Sequence, residues 1–330
     1  MTGGQATGGG AEPAAWQRTA LAFIAAVESG RLDLPLPGSG ATWDRFSGLA
    51  DLAEEDLSLA RLGEGHADAI AILAELGGPP PAPGSRWGVW AANPPGPNVT
   101  ATRRGASWVL RGTKQYCSGA RVCTHALVTA MAGDEARLFA VPVAGLEPVA
   151  GSWPATGMAG SDTLDVAFPG VAAEPAGTPG GYTDRPGFSH GGVGVAACWY
   201  GGARGVARTL LHAAAKRDVG PHALAHLGAV DIGLRTVRAA LERAAAEIDA
   251  DPGDRGGAGQ ARALRVRALT EAAAADILAR TGRALGAGPL CHDERHARAV
   301  ADLTVYLRQH HAERDLARLG GLVAEHGATW

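Results

Sequence analysis

The sequence predicts an α+β protein in three parts, and three observations carry that prediction. Gly- and Pro-rich clusters at 77–85 and 175–187 interrupt any regular element and divide the chain. Between them lie short runs rich in Val, Trp, Phe and Thr, the composition of strands. On either side the apolar residues recur at helical spacing. The expected parts are a tail at 1–13, a helical domain at 14–85, a β-domain at 86–187 and a helical bundle at 188–330.

The tail, MTGGQATGGGAEP, is Gly-rich and is expected to be disordered. It has neither the positive start nor the apolar stretch of a signal peptide. From Ala14 to about Gly77 the reading is helical: Ala20–Val27 is mostly apolar, and Leu52, Leu59, Leu62, Ile70, Leu73 and Leu76 follow at helical intervals. In the β-domain, WVLRGTKQYCSG, THALVTAMAG, ARLFAVPV and LDVAFPGVA read as strands separated by turn signals, which suits an antiparallel barrel or sandwich. Four helices follow. GVGVAACWYGGARGVARTLLHAAAKRD is the first, and LAHLGAVDIGLRTVRAALERAAAEIDA, with Leu234, Val237, Leu241 and Ile248 near one face, is the second. ARALRVRALTEAAAADILARTGRAL is the third and ADLTVYLRQHHAERDLARL the fourth, giving an up-and-down four-helix bundle.

Composition excludes several classes. With 330 residues, 46% apolar and 19% charged, the chain is neither a disordered segment nor a fibre. Its net charge of −3 gives no basic surface for nucleic acid. No apolar run reaches the ~20 residues of a membrane span. Cys117, Cys123, Cys198 and Cys291 are scattered, without zinc spacing, so reduced thiols, a cytoplasmic location and no bound metal are expected. His125 reads as structural. His292 and His296 have metal-like spacing but lack the following Glu of a zinc protease. Only Lys114 and Lys216 are lysines.

Two segments resemble the acyl-CoA dehydrogenase superfamily. GASWVLRGTKQYCSGARVCTHALVTA is similar to its middle-domain strand and turn, and WPATGMAGSDTLDVAFPGV to its later β-segment. The resemblance covers roughly residues 20–320. It implies an N-terminal helical domain, a middle antiparallel β-barrel, a C-terminal four-helix bundle, and FAD lying between barrel and bundle in a homodimer or homotetramer. It further implies a flavin site. Ala92 and Asn93 take the places of a Thr and a Glu at a strand end, Ala92 offering its backbone N–H. Tyr116, Cys117 and Ser118 take the Trp-Ile-Ser/Thr turn beside the isoalloxazine ring. Lys216 or Arg217, and Arg283 with Gly286, take phosphate-binding places.

The chain departs from the superfamily at the catalytic base. The position of the usual Glu is held by His310, followed by His311, and the alternative position, in Ser189–Val193, has no carboxylate. Glu313, three residues after His310, is a candidate to orient the imidazole. Three functions follow from the resemblance. The first is oxidation of an acyl thioester, on CoA or a carrier protein, at Cα–Cβ with His310 or His311 as base and an electron-transfer partner. The second is a flavin monooxygenase, fed by a reductase, in which a His here assists oxygen chemistry. The third is a non-catalytic subunit of a complete paralogue. The dehydrogenase is the leading expectation.

Overall fold

A computed structural model describes residues 14–95, 98–105 and 107–327; the tail expected at 1–13 lies outside the described residues. Three helices open the fold, α1 (Ala15–Glu28), α2 (Thr42–Glu55) and α3 (Leu57–Glu75). Asp56 separates the last two: its backbone is extended, and its side chain accepts from Leu59 N–H at 2.9 Å as the N-cap of α3.

Six strands follow: β1 (Trp87–Trp90), β2 (Thr100–Arg104), β3 (Ser107–Cys117), β4 (His125–Ala132), β5 (Glu135–Pro142) and β6 (Leu164–Pro175). β5 pairs along the whole of β4, from His125↔Pro142 to Ala132↔Glu135. The other edge of β4 takes β1 and then the start of β2, both parallel to it. β2–β3, β3–β6 and β6–β5 are antiparallel, so a ring of five strands closes on β4, with β1 appended. The expected strands are β3 to β6. β1 runs up to the strand end that the resemblance implies at Ala92 and Asn93; β2, too short for a clear alternation, was not expected. Lys114 on β3 is fully buried and donates to Asn93 Oδ1 (2.9 Å), Thr129 O (2.9 Å) and Thr129 Oγ1 (2.8 Å), tying the loop after β1 to β4. His125, as expected, is structural: it stacks on Trp87 at 4.8 Å.

A short α4 (Gly181–Asp184) leads into α5 (Pro186–Lys216), α6 (Gly220–Ala250) and α7 (Gly259–Leu285), then α8 (Gly288–His292), α9 (Glu294–Tyr306) and α10 (Glu313–His326). The first three expected helices are α5, α6 and α7. The single fourth helix expected over 301–319 is not continuous. After Tyr306 a 3-10 turn (Leu307–Gln309) ends at His310 with extended backbone (φ −80°, ψ 129°), and Ala312 adopts φ +47°. An alanine in the left-handed region cannot continue a right-handed helix. α10 therefore starts in a new register.

One hydrophobic core runs through all three parts, from Phe23 and Leu49 through Leu110 and Phe139 to Trp199, Leu241 and Leu303. Among the described residues no helix is long and apolar enough to cross a membrane.

Candidate functional site

Two turns of the barrel are hydrogen-bonded to each other, and the second of them reaches α9, the helix that leads to Tyr306 and His310. In the first turn β3 runs into Tyr116, which holds φ +60° while its ring stays half exposed, edge-on to Trp153 at 6.4 Å. Such backbone costs a bulky residue of order 1 kcal/mol and persists only where surrounding structure imposes it. Cys117 is buried beneath the turn; its thiol donates to Lys114 O at 3.2 Å, and burial pushes its pKa well up, so it stays protonated. Ser118 shares a hydrogen bond with Thr163 Oγ1 (2.9 Å), and its carbonyl accepts Trp90 Nε1–H (3.0 Å). The second turn, 157–163, holds Met158 at φ +57° and Asp162 at φ +48°. Thus three of the five non-glycine residues with positive φ among those described lie in these two turns, and a fourth, Ala312, adjoins the histidine pair.

The helical wall is built around Trp199 of α5. Arg267 of α7 stacks over its ring at 4.6 Å and donates to Gly192 O (3.2 Å) and Gln309 O (2.9 Å), which fixes the carbonyl just before His310. Tyr306 and His310 meet the same indole edge-on, at 6.3 and 6.5 Å. His310 is buried and His311 exposed. Asp315 faces both, 4.0 Å from His310 Nε2 and 3.4 Å from His311 Nδ1, and accepts His311 N–H at 3.0 Å. The facing carboxylate is therefore Asp315 and not the expected Glu313, which is exposed, because the break at Ala312 changes the register of α10. Burial lowers the His310 pKa; Asp315 and Glu271 oppose that, while Arg267 and His311 add to it. The imidazole is neutral at pH 7.

From α3, Glu64 adds a buried carboxyl at 2.6 Å from Arg61 Nη1. Burial pushes it up to about 7 against the pull of Arg61. The charges of Arg61 and Glu64 are felt at Cys198 and Tyr306, so the pair belongs to this junction. Sequence reasoning missed Glu64. Its signal was a carboxylate within a largely apolar helical stretch, but Asp68 follows one turn later and the i,i+3 spacing from Arg61 also describes a surface pair.

Polar atoms without partners mark the region. Trp153 Nε1 beside Tyr116, and Trp199 Nε1 and His310 Nε2 on the helical wall, are buried and make no hydrogen bond within the protein. Most buried polar groups are satisfied, so such atoms point to a missing ligand or water.

The other expected residues lie at the surface. Ala92 is exposed in the loop after β1. Lys216 and Arg217 at the end of α5, and Arg283 and Gly286 at the end of α7, are exposed. At 1.5 Å per residue, the path along α5 from Trp199 to Lys216 is about 25 Å.

The comparisons place this architecture. A TdsC structure from Paenibacillus sp. A11-2, in complex with FMN and indole, superposes with a TM-score of 0.75 at 18% identity, over 96% of this chain and 97% of that one. KijD3 in complex with dTDP matches with a TM-score of 0.77 at 19% identity, over 95% and 93%. The methanesulfinate monooxygenase MsuC from Pseudomonas fluorescens matches with 0.73 at 18%, over 96% and 97%. The chain has the acyl-CoA dehydrogenase fold. At these identities the likeness is one of fold. No protein-family model matches the sequence, and no curated protein matches it.

Proposed function

We propose that this protein is a flavin-dependent monooxygenase that binds FMN against the Tyr116–Ser118 turn and oxidises a small organic substrate beside Trp199 and His310. The observation that carries the reading is His310: a buried imidazole whose Nε2 makes no hydrogen bond within the protein and lies 4.0 Å from Asp315, on a loop clamped by Arg267, at the position where the resembled dehydrogenases hold a carboxylate. Two further facts support it. TdsC is described as a dibenzothiophene monooxygenase and MsuC as a methanesulfinate monooxygenase. Structures of TdsC and KijD3 hold FMN.

The residues present fit a flavin. Tyr116 offers a half-exposed ring, Ser118 a hydroxyl, Trp153 an unpaired N–H donor and Ala92 an exposed backbone, a set matched to the face and polar edge of an isoalloxazine. FMN is preferred to FAD because Lys216, Arg217, Arg283 and Gly286, the expected dinucleotide contacts, lie at the remote end of α5 and α7. Bound reduced flavin supplies the electrons that let one oxygen atom of O2 enter the substrate while the other leaves as water.

The protein's own part is proton placement and exclusion of solvent. Neutral His310 carries one N–H and one lone pair, so its Nε2 either carries a proton or presents a lone pair to accept one. Arg267 keeps the loop in place by bonding the Gln309 carbonyl. Trp199 and Tyr306, both buried, close the wall behind the imidazole.

Oxidation of an acyl thioester at Cα–Cβ is the second reading, favoured by Glu64, a buried carboxyl near 7 in the same junction. It ranks lower because Arg61 already holds that carboxyl. The test supplies reductase-generated FMNH2 and 18O2 with a panel of small heteroaromatic and sulfur compounds. The monooxygenase reading expects 18O in a product. Bleaching of bound flavin by an acyl-CoA without oxygen, lost in Glu64→Gln, would overturn it in favour of the dehydrogenase.

A further inference from the structure

The 157–163 turn is wedged between helices. A Cβ on Gly157 would lie 2.3 Å from Ala301 O and 2.6 Å from Val305 Cγ2, both on α9. A Cβ on Gly160 would lie 2.6 Å from Thr19 Oγ1 and 3.0 Å from Ser58 Cβ, on α1 and α3. Only glycine fits at either position. Within this wedge Asp302 of α9, itself buried, accepts Met158 N–H at 2.5 Å and Ser58 Oγ–H at 3.4 Å.

From there a chain of hydrogen bonds continues without a gap. Met158 O accepts Ser161 Oγ–H at 2.8 Å. Ser161 Oγ and Thr163 Oγ1 are 2.7 Å apart, and Thr163 Oγ1 and Ser118 Oγ 2.9 Å. The backbone runs alongside, with Gly119 N–H bonded to Ser161 O at 2.8 Å. One end of the chain is a carboxylate on the helix that leads to Tyr306 and His310; the other is the Ser118 hydroxyl.

We propose that Asp302 is a positioning residue: by holding Met158 in its left-handed conformation it orients Ser161 and Thr163, and through them the Ser118 hydroxyl that meets the flavin. The proposal rests on the flavin site of the preceding section. It explains why a bulky residue sits at φ +57° there: the strain is sustained by the short bond to Asp302 and by Gly157 seated on α9. It also makes the carboxylate's role one of accepting a hydrogen bond, which an amide oxygen can take over.

The experiment compares full-length wild type with Asp302→Ala, Asp302→Asn and Thr163→Val by FMN fluorescence titration, by the absorption spectrum of bound FMN, and by hydrogen exchange of the 157–163 amides in the flavin-free protein. Asp302→Ala is expected to weaken FMN binding at least tenfold, change the flavin band and speed exchange in the turn. Asp302→Asn is expected to stay within about threefold of wild type. Thr163→Val, which cuts the chain at the last residue of the turn, is expected to change the flavin band while exchange at 157–161 stays slow. Wild-type binding and spectrum in Asp302→Ala, or in Thr163→Val should the alanine variant not fold, would overturn the proposal. A wild-type protein that takes up no flavin refutes the flavin site itself; unchanged exchange in the flavin-free Asp302→Ala variant refutes the positioning role independently.

Discussion

His66 offers a quantitative test of how α3 is seated on the barrel. Its side chain is buried, lies edge-on to Phe23 at 5.9 Å, and its Nδ1 accepts Trp87 N–H at 3.2 Å from β1. A proton on Nδ1 would break that bond and place a charge in an apolar site. Burial accordingly lowers its pKa from 6.5 to about 4, with Asp33 opposing. Below pH 6.5 the unfolded chain binds a proton that the folded chain refuses, so stability is full above that pH and falls as pH drops towards 4. The loss is about 2 kcal/mol at pH 5 and about 3 kcal/mol below both values. Glu64 works in the opposite sense: its folded carboxyl, near 7, binds a proton before the unfolded one does, so it adds stability as pH falls towards 4.5. The raw pH profile therefore masks His66, and a difference measurement is needed. His66→Gln keeps an acceptor for Trp87 N–H but does not titrate. Urea unfolding at pH 7.5 and pH 5 should show the wild-type advantage over this variant shrinking by about 2 kcal/mol. A difference that stays constant to within about 0.5 kcal/mol would show that burial does not hold His66 neutral.

His310→Ala is expected to retain flavin binding but lower oxygen transfer to substrate by roughly 10²-fold or more, with hydrogen peroxide released in its place; coupled assays of product and peroxide check this. Tyr116→Ala should weaken FMN about tenfold, the equivalent of one aromatic contact of ~1.5 kcal/mol, as read by fluorescence titration. Lys114 and Lys216 are the only lysines, and Lys114 is fully buried while Lys216 is exposed. An amine-reactive reagent should therefore label Lys216 in the native protein and reach Lys114 only after unfolding, as peptide mass mapping would show.

The sequence disclosed the order of the parts because Gly and Pro mark their boundaries and because helical and strand periodicities differ. Residues such as Leu110 and Lys114, four apart on one strand, even share its buried face. The sequence did not disclose the break at Ala312, since neither Gly nor Pro stands there. The helix was therefore extended to 319, and Glu313 stood in the place that Asp315 occupies. Nor could it weigh Glu64, whose buried state depends on α5 and α9 packing from more than a hundred residues away. Tyr116, Ser118 and His310 entered as candidates through family resemblance. What the resemblance could not supply was the strained backbone at Tyr116 and the chain from Asp302 to Ser118, which arise from tertiary contacts between barrel and helices.

Titration of FMN with the purified protein, followed by fluorescence, probes the flavin site proposed on the Tyr116–Ser118 edge of the barrel. Saturable quenching with one FMN per chain is expected, with affinity weakened about tenfold by Tyr116→Ala. Absence of quenching by both FMN and FAD, or quenching indifferent to Tyr116, would contradict it.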